Sequence, residues 1–171
     1  MPKINTCIIE LKSESIEVLL SLSQHVNDKA LHIMPFISVF AAMLKTKGKM
    51  FSIMKKPKEA IAMYKKSYQI LQKELGESHI ESAYCIMHIG KIHFELDNVG
   101  ESIHAFEVFL RVANEQKSKD FRNIYDSLIT LGTMYNQCNI PYITQSYLHR
   151  AQEIAKTHFS DDYVKHSQVH F

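Results

Sequence analysis

The chain has 171 residues, 46% of them apolar and 22% charged, with a formal net charge of +2. That balance excludes a disordered segment and a uniformly basic polyanion binder, and it sets the size of one domain or a short repeat array. Five glycines, four prolines, eight methionines and no tryptophan fit a helical chain better than a turn-rich β protein.

Residues 1–12, with Cys7-Ile8-Ile9, read either as the start of a strand or as a frayed helix. Ser13 or Ser15 then caps a helix that carries Ile16, Leu19, Leu20 and Leu22 on one face and ends near Asn27. Pro35 is placed as the first-turn proline of the next helix, which runs through Phe36, Phe40, Leu44 and Phe51 to about Met54. Lys55-Lys56-Pro57 makes a turn, and the following helix sets Ala60, Ile61, Tyr64, Tyr68 and Leu71 at 3–4 spacing. Gly76 suits a left-handed cap at its end. The same pattern returns in Ile80–Asp97 with Gly100–Lys117, and again in Phe121–Gln137 with Pro141–His158. Asp161–Phe171 begins a further helix.

Three of the five glycines, Gly48, Gly90 and Gly132, stand forty-two residues apart. Each interrupts an apolar helical stretch, at about 1 kcal/mol relative to alanine. Close approach of a second helix is the simplest compensation. The flanking residues agree: twelve positions on stand Ala60, Ser102 and Thr144, and sixteen on stand Tyr64, Phe106 and Leu148. Small then large is what two antiparallel helices need beside a close backbone contact.

Glycine in the first helix and small residues in the second resemble the tetratricopeptide repeat, and the forty-two-residue period resembles its kinesin-light-chain variety. The resemblance covers roughly residues 36–158 and implies an all-α, right-handed α-solenoid of helix–turn–helix repeats. Its units are 35–76, 77–118 and 119–160. Residues 1–34 then form an N-terminal helix, partial repeat or cap, and 161–171 form a capping helix or the start of another repeat. Departures from the pattern are Lys47 for an apolar residue before Gly48, and Ser67 and Phe109 for alanine in the second helices.

Chemistry-bearing motifs are scarce. Cys7, Cys85 and Cys138 make no CxxC pair, which points to free thiols in a reducing compartment. Among ten histidines, His88 and His93 are five apart, off a common helical stripe, and no HExxH occurs. GxSxG, P-loop and GxGxxG motifs are also missing. The expectation is a non-enzymatic chain with no cofactor and no metal. The N-terminus lacks a basic region followed by an apolar run, and the apolar stretch Ile33–Leu44 is broken by Pro35 and Ser38. A cytoplasmic protein is expected, and the resemblance adds cytoskeletal or ciliary assemblies as settings.

In such arrays the first helices of each repeat line a concave groove that holds a peptide. By register, the groove residues are Lys45, Lys49 and Ser52, then Tyr84, Met87, His88, Lys91 and Phe94, then Asp126, Ile129, Thr133 and Asn136. Lysines would meet carboxylates, with Tyr84, Met87 and Phe94 as an apolar platform. This predicts a protein or peptide partner combining acidic residues with an aromatic or aliphatic anchor. The family's chaperone-type carboxylate clamp is a poorer match, because Lys49 and His88 occupy its asparagine positions. Residues 41–75 hold nine lysines and two glutamates, leaving a net −5 elsewhere, so head-to-tail self-assembly through repeat ends is an alternative. A peptide-sensing regulator whose superhelix closes on its ligand is another. Nucleic acid is a minor reading, since aromatic interleaving among the lysines is weak.

Overall fold

A computed structural model describes residues 34–159. They form six helices: α1 (Met34–Ile53), α2 (Pro57–Leu75), α3 (Ile80–Glu95), α4 (Val99–Glu115), α5 (Phe121–Gln137) and α6 (Pro141–His158). No strand occurs among the described residues. The expected helices at 13–27 and 161–171 lie outside them. The chain divides into two units, Met1–Val39 and Phe40–Phe171. Of the first, the described part is the opening of α1, with Pro35 in its first turn. The architecture below is that of the second.

Prolines start α2 and α6, where the missing N–H has no intrahelical partner to lose. Side chains cap two others: His79 Nδ1 accepts from Glu81 N at 3.2 Å, and an Asp120 carboxylate oxygen accepts from Asn123 N at 3.2 Å.

The helix ends carry a second periodic feature. Lys55, Asp97 and Asn139, again forty-two residues apart, take φ of 57°, 59° and 59°. Around each, the same two hydrogen bonds close the helix. The next residue's N–H reaches back five positions (Lys56 to Phe51, Asn98 to His93, Ile140 to Tyr135), and the left-handed residue's own N–H reaches back three. This is the Schellman arrangement, usually built on glycine. Lys117, with φ 49°, repeats it at the end of α4. Gly76 has positive φ as expected, but its φ of 92° and ψ of 164° are extended-mirror rather than left-handed helical. That region is open essentially to glycine alone.

The glycine ladder is where each A helix meets its B helix. A Cβ added at Gly48 would lie 3.0 Å from the Tyr64 ring; at Gly90, 2.8 Å from the Ala105 Cβ; at Gly132, 2.6 Å from Leu148 Cδ2. Ser102 Oγ donates to the Gly90 carbonyl at 3.0 Å, so the small residue twelve positions on also bonds across the seam. The departures at Ser67 and Phe109 are accommodated by local fit. They share one fully buried register position with Ala151. Ser67 Oγ satisfies itself on the Ala41 carbonyl at 2.8 Å, and Phe109 fills space between repeats two and three.

The largest core joins α3 to α6, with Met87, Phe106, Phe109, Leu128, Leu131 and Met134 fully or almost fully buried. Two smaller clusters join the first repeat to the second: Ala41 with Leu71 and Cys85, and Ala60 with Tyr64 and Ile92. The result is an all-α stack of helix pairs in chain order, with A helices α1, α3 and α5 and B helices α2, α4 and α6.

Candidate interaction surface

A lysine, tyrosine or histidine three or four positions from its neighbour along an A helix shares a stripe with it. On α1 and α3 that stripe carries Lys45, Lys49, Tyr84, His88 and Lys91, and two cross-links fix it between A helices. Lys45 Nζ reaches Glu81 in the first turn of α3 as an ion pair. Tyr84 Oη donates to an Asp120 carboxylate oxygen at 2.8 Å, just before α5. Both links run thirty-six residues forward, from an A helix to the start of the next.

His88 stacks on Tyr64 of α2, with ring centroids 5.0 Å apart and planes 17° from parallel. Its pKa falls to about 4, first because burial penalises the imidazolium and then because Lys91, Lys45 and Lys49 repel it. The ring is therefore neutral at physiological pH. It stands as a polar, uncharged group among three lysines. Lys45 and Lys49 of α1 and Lys91 of α3 are thus all near enough to the His88 ring to act on its charge.

The other end is anionic. Burial works to raise the Asp120 pKa, but hydrogen bonds from Asn123 and Tyr84 outweigh it and the group sits below the usual carboxylate range. Asp126 is raised by burial, against Lys91 and Arg122. Tyr84 is pushed up to about 12 by burial and then by its bond to Asp120. Its ring lies 5.6 Å from Phe109, so the hydroxyl is committed to a structural bond and one ring face to the core.

Other expected groove residues fall elsewhere. Met87 is 0% exposed and belongs to the main core with Ala83 and Phe106, so it cannot serve as a platform. Its register position is shared with Lys45 and Ile129; in the second repeat it is enclosed in the core that also takes in Phe106, Phe109 and Leu128. Ile129 is half-buried against the same core. Ser52 lines a cleft of about 350 Å³ at the helix-turn end, with Lys55, Pro57, Ile92, Glu95 and Leu96. Lys55 and Glu95 pair there at 3.4 Å. Phe94 is exposed on α3. Thr133 and Asn136 are exposed on α5, with Thr133 Oγ1 donating back to the Ile129 carbonyl at 3.0 Å.

Sequence reasoning missed Glu81 and Asp120. The available signal was an acidic residue at the start of each later A helix, facing a lysine or tyrosine of the preceding one. Among the described residues no three His, Cys, Asp or Glu side chains converge as a metal site, and no helix is long and apolar enough to cross a membrane.

No protein-family model matches the chain, and no curated protein matches it in sequence. Solved structures do resemble it. One is BtubC (BKLC) from P. vanneervenii, a kinesin-light-chain-like protein, at TM-score 0.67 and 17% identity, covering 86% of this chain. The chain spans 57% of that structure's length. Another is the N-terminal domain of stress-induced protein-1 (STI-1) from C. elegans, at TM-score 0.60 and 17% identity, covering 77% of this chain and 94% of that domain. Both are tetratricopeptide-type folds, and the fold of this chain is of that type.

Proposed function

We propose that this chain is a non-enzymatic interaction scaffold that holds an acidic peptide segment on the inner face of α1, α3 and α5. The supporting observation is the cationic cluster of Lys45, Lys49 and Lys91 around the neutral His88. Lys45 is already neutralised by Glu81, but Lys49 and Lys91 make no ion pair among the described residues. A peptide carboxylate would pair with these two, and an aromatic or aliphatic anchor would rest beside the exposed Phe94. Asp126, Thr133 and Asn136 lie beyond, and they disfavour a run of acidic residues extending over α5.

The test is a titration with a fluorescein-labelled twelve-residue peptide carrying three glutamates and one phenylalanine. Lys49→Glu with Lys91→Glu is expected to weaken binding at least about tenfold at low salt, and raising salt is expected to weaken the unaltered chain's binding. Lys45→Glu is a poorer probe, because it would set like charges against Glu81. Equal affinity of the double variant would remove the inner face as the site.

A further inference from the structure

The A helices bury one stripe against the B helix of the preceding repeat. On α3 this stripe is Cys85, His88, Ile89 and Ile92, at i, i+3, i+4 and i+7. Cys85 Sγ lies 3.5 Å from Ser67 Oγ of α2, His88 stacks on Tyr64, and Ile89 and Ile92 join the cluster of Ala60 and Tyr64. On α5 the matching Leu131 and Met134 are 0% exposed against α4. On α1 the same stripe is Met43, Thr46, Lys47 and Met50. There Met43 is 37% and Met50 44% exposed, where their counterparts Cys85 and Ile92 are 0% and 3%. The first repeat thus presents a stacking face with the chemistry of an interface and the exposure of a surface.

The charge on this face calls for an acidic occupant. Later repeats place Ile89 and Leu131 where α1 has Lys47, whose ammonium lies 5.9 Å over the Phe51 ring and has no carboxylate partner among the described residues. Helix α1 carries three lysines and no acidic residue. A second copy fits poorly. The outward side of α6 is polar at Gln145, His149, Gln152 and Lys156, all exposed, and two α1 faces would oppose lysines.

We infer that the outer face of α1 docks an amphipathic helix of a partner protein, seated as the preceding B helix would be. Its apolar stripe covers Met43 and Met50, and an acidic residue meets Lys47. This surface is separate from the inner face proposed above.

The experiment uses the full chain with ¹³C-methyl-labelled methionine and two eighteen-residue amphipathic helical peptides of alanine and leucine. One is flanked by glutamates, the other by lysines in their place. The Met43 and Met50 methyl signals are expected to shift with the glutamate peptide while buried Met87 and Met134 stay still. The lysine peptide is expected to bind at least about tenfold more weakly, and Lys47→Glu to reverse that preference. Met50→Glu, at an exposed position, should abolish the Met43 methyl shift without altering binding of the inner-face peptide. Equal affinity for the two peptides, or shifts confined to other methionines, would overturn the inference. So would methyls of Met43 and Met50 that a soluble paramagnetic agent cannot reach in the free chain, at any concentration or only where the chain self-associates.

Discussion

The backbone of Gly90 runs so close to Ala105 that a Cβ at position 90 would stand 2.8 Å from the Ala105 Cβ. Neither group can move without shifting a helix axis. At Gly48 and Gly132 the obstruction is instead the side chain of Tyr64 or Leu148, and Leu148 is half-buried and able to turn aside. Alanine's helical advantage of about 1 kcal/mol therefore competes with different penalties on one ladder. Gly90→Ala is expected to destabilise by about 1–2 kcal/mol and Gly90→Leu by several, through overpacking. Gly132→Ala is expected within about 0.5 kcal/mol of neutral. Urea denaturation of the two alanine variants checks the order, and equal effects would contradict this account of the seam.

The left-handed turn residues give a prediction of opposite sign. Lysine carries a steric penalty there that asparagine and aspartate reduce and glycine lacks. Lys117→Gly and Lys55→Gly are expected to stabilise by about 0.5–1 kcal/mol, after the larger unfolded-state entropy of glycine is subtracted. Asn139→Gly should gain less. Thermal melts of the single variants decide it: a loss at Lys117→Gly would mean that its side chain has a role beyond the turn.

His88 makes stability depend on pH. Its pKa is about 4 in the fold against 6.5 as the ordinary value, so below pH 6.5 the unfolded chain binds a proton that the fold refuses. This contribution is complete above pH 6.5 and is lost as pH falls towards 4, by roughly 2 kcal/mol given partial exposure. Denaturant unfolding at pH 7.5 and 5.0 is expected to show the loss, and His88→Gln to remove that part of it. An unchanged pH slope in His88→Gln would place the sensitivity on other groups. Peptide bound on the inner face should deepen the trend only where its carboxylate does not reach His88.

The seams between helices were legible because glycine inside a helix is a local contradiction that only packing resolves, and the contradiction recurs at a fixed interval. The turns were less legible, since lysine at Lys55 and Lys117 is no marker of a left-handed conformation. The Schellman hydrogen bonds come from how the helix end closes rather than from residue preference. For the candidate site, register counting placed Lys45, Lys49, Tyr84, His88 and Lys91 on A helices; of these, the three lysines lie close enough to His88 to lower its pKa, while Tyr84 is tied to Asp120 and Phe109. The same counting misassigned Met87, because equal register does not mean equal neighbours. Lys45 meets a glutamate at the front of α3, whereas Met87 is enclosed in the main core. Repeat logic supplies position; burial depends on which helix stands next to it.

Ser67 and Cys85 touch across the boundary between α2 and α3, with the thiol fully buried and its pKa raised by burial. Cys138 lies open at the end of α5. An alkylating reagent can therefore reach the first of these sulfurs only when repeats one and two part, while the second reacts at once and calibrates the reagent. The rate ratio measures how often this array breathes at a single joint, in a chain that carries its own probe.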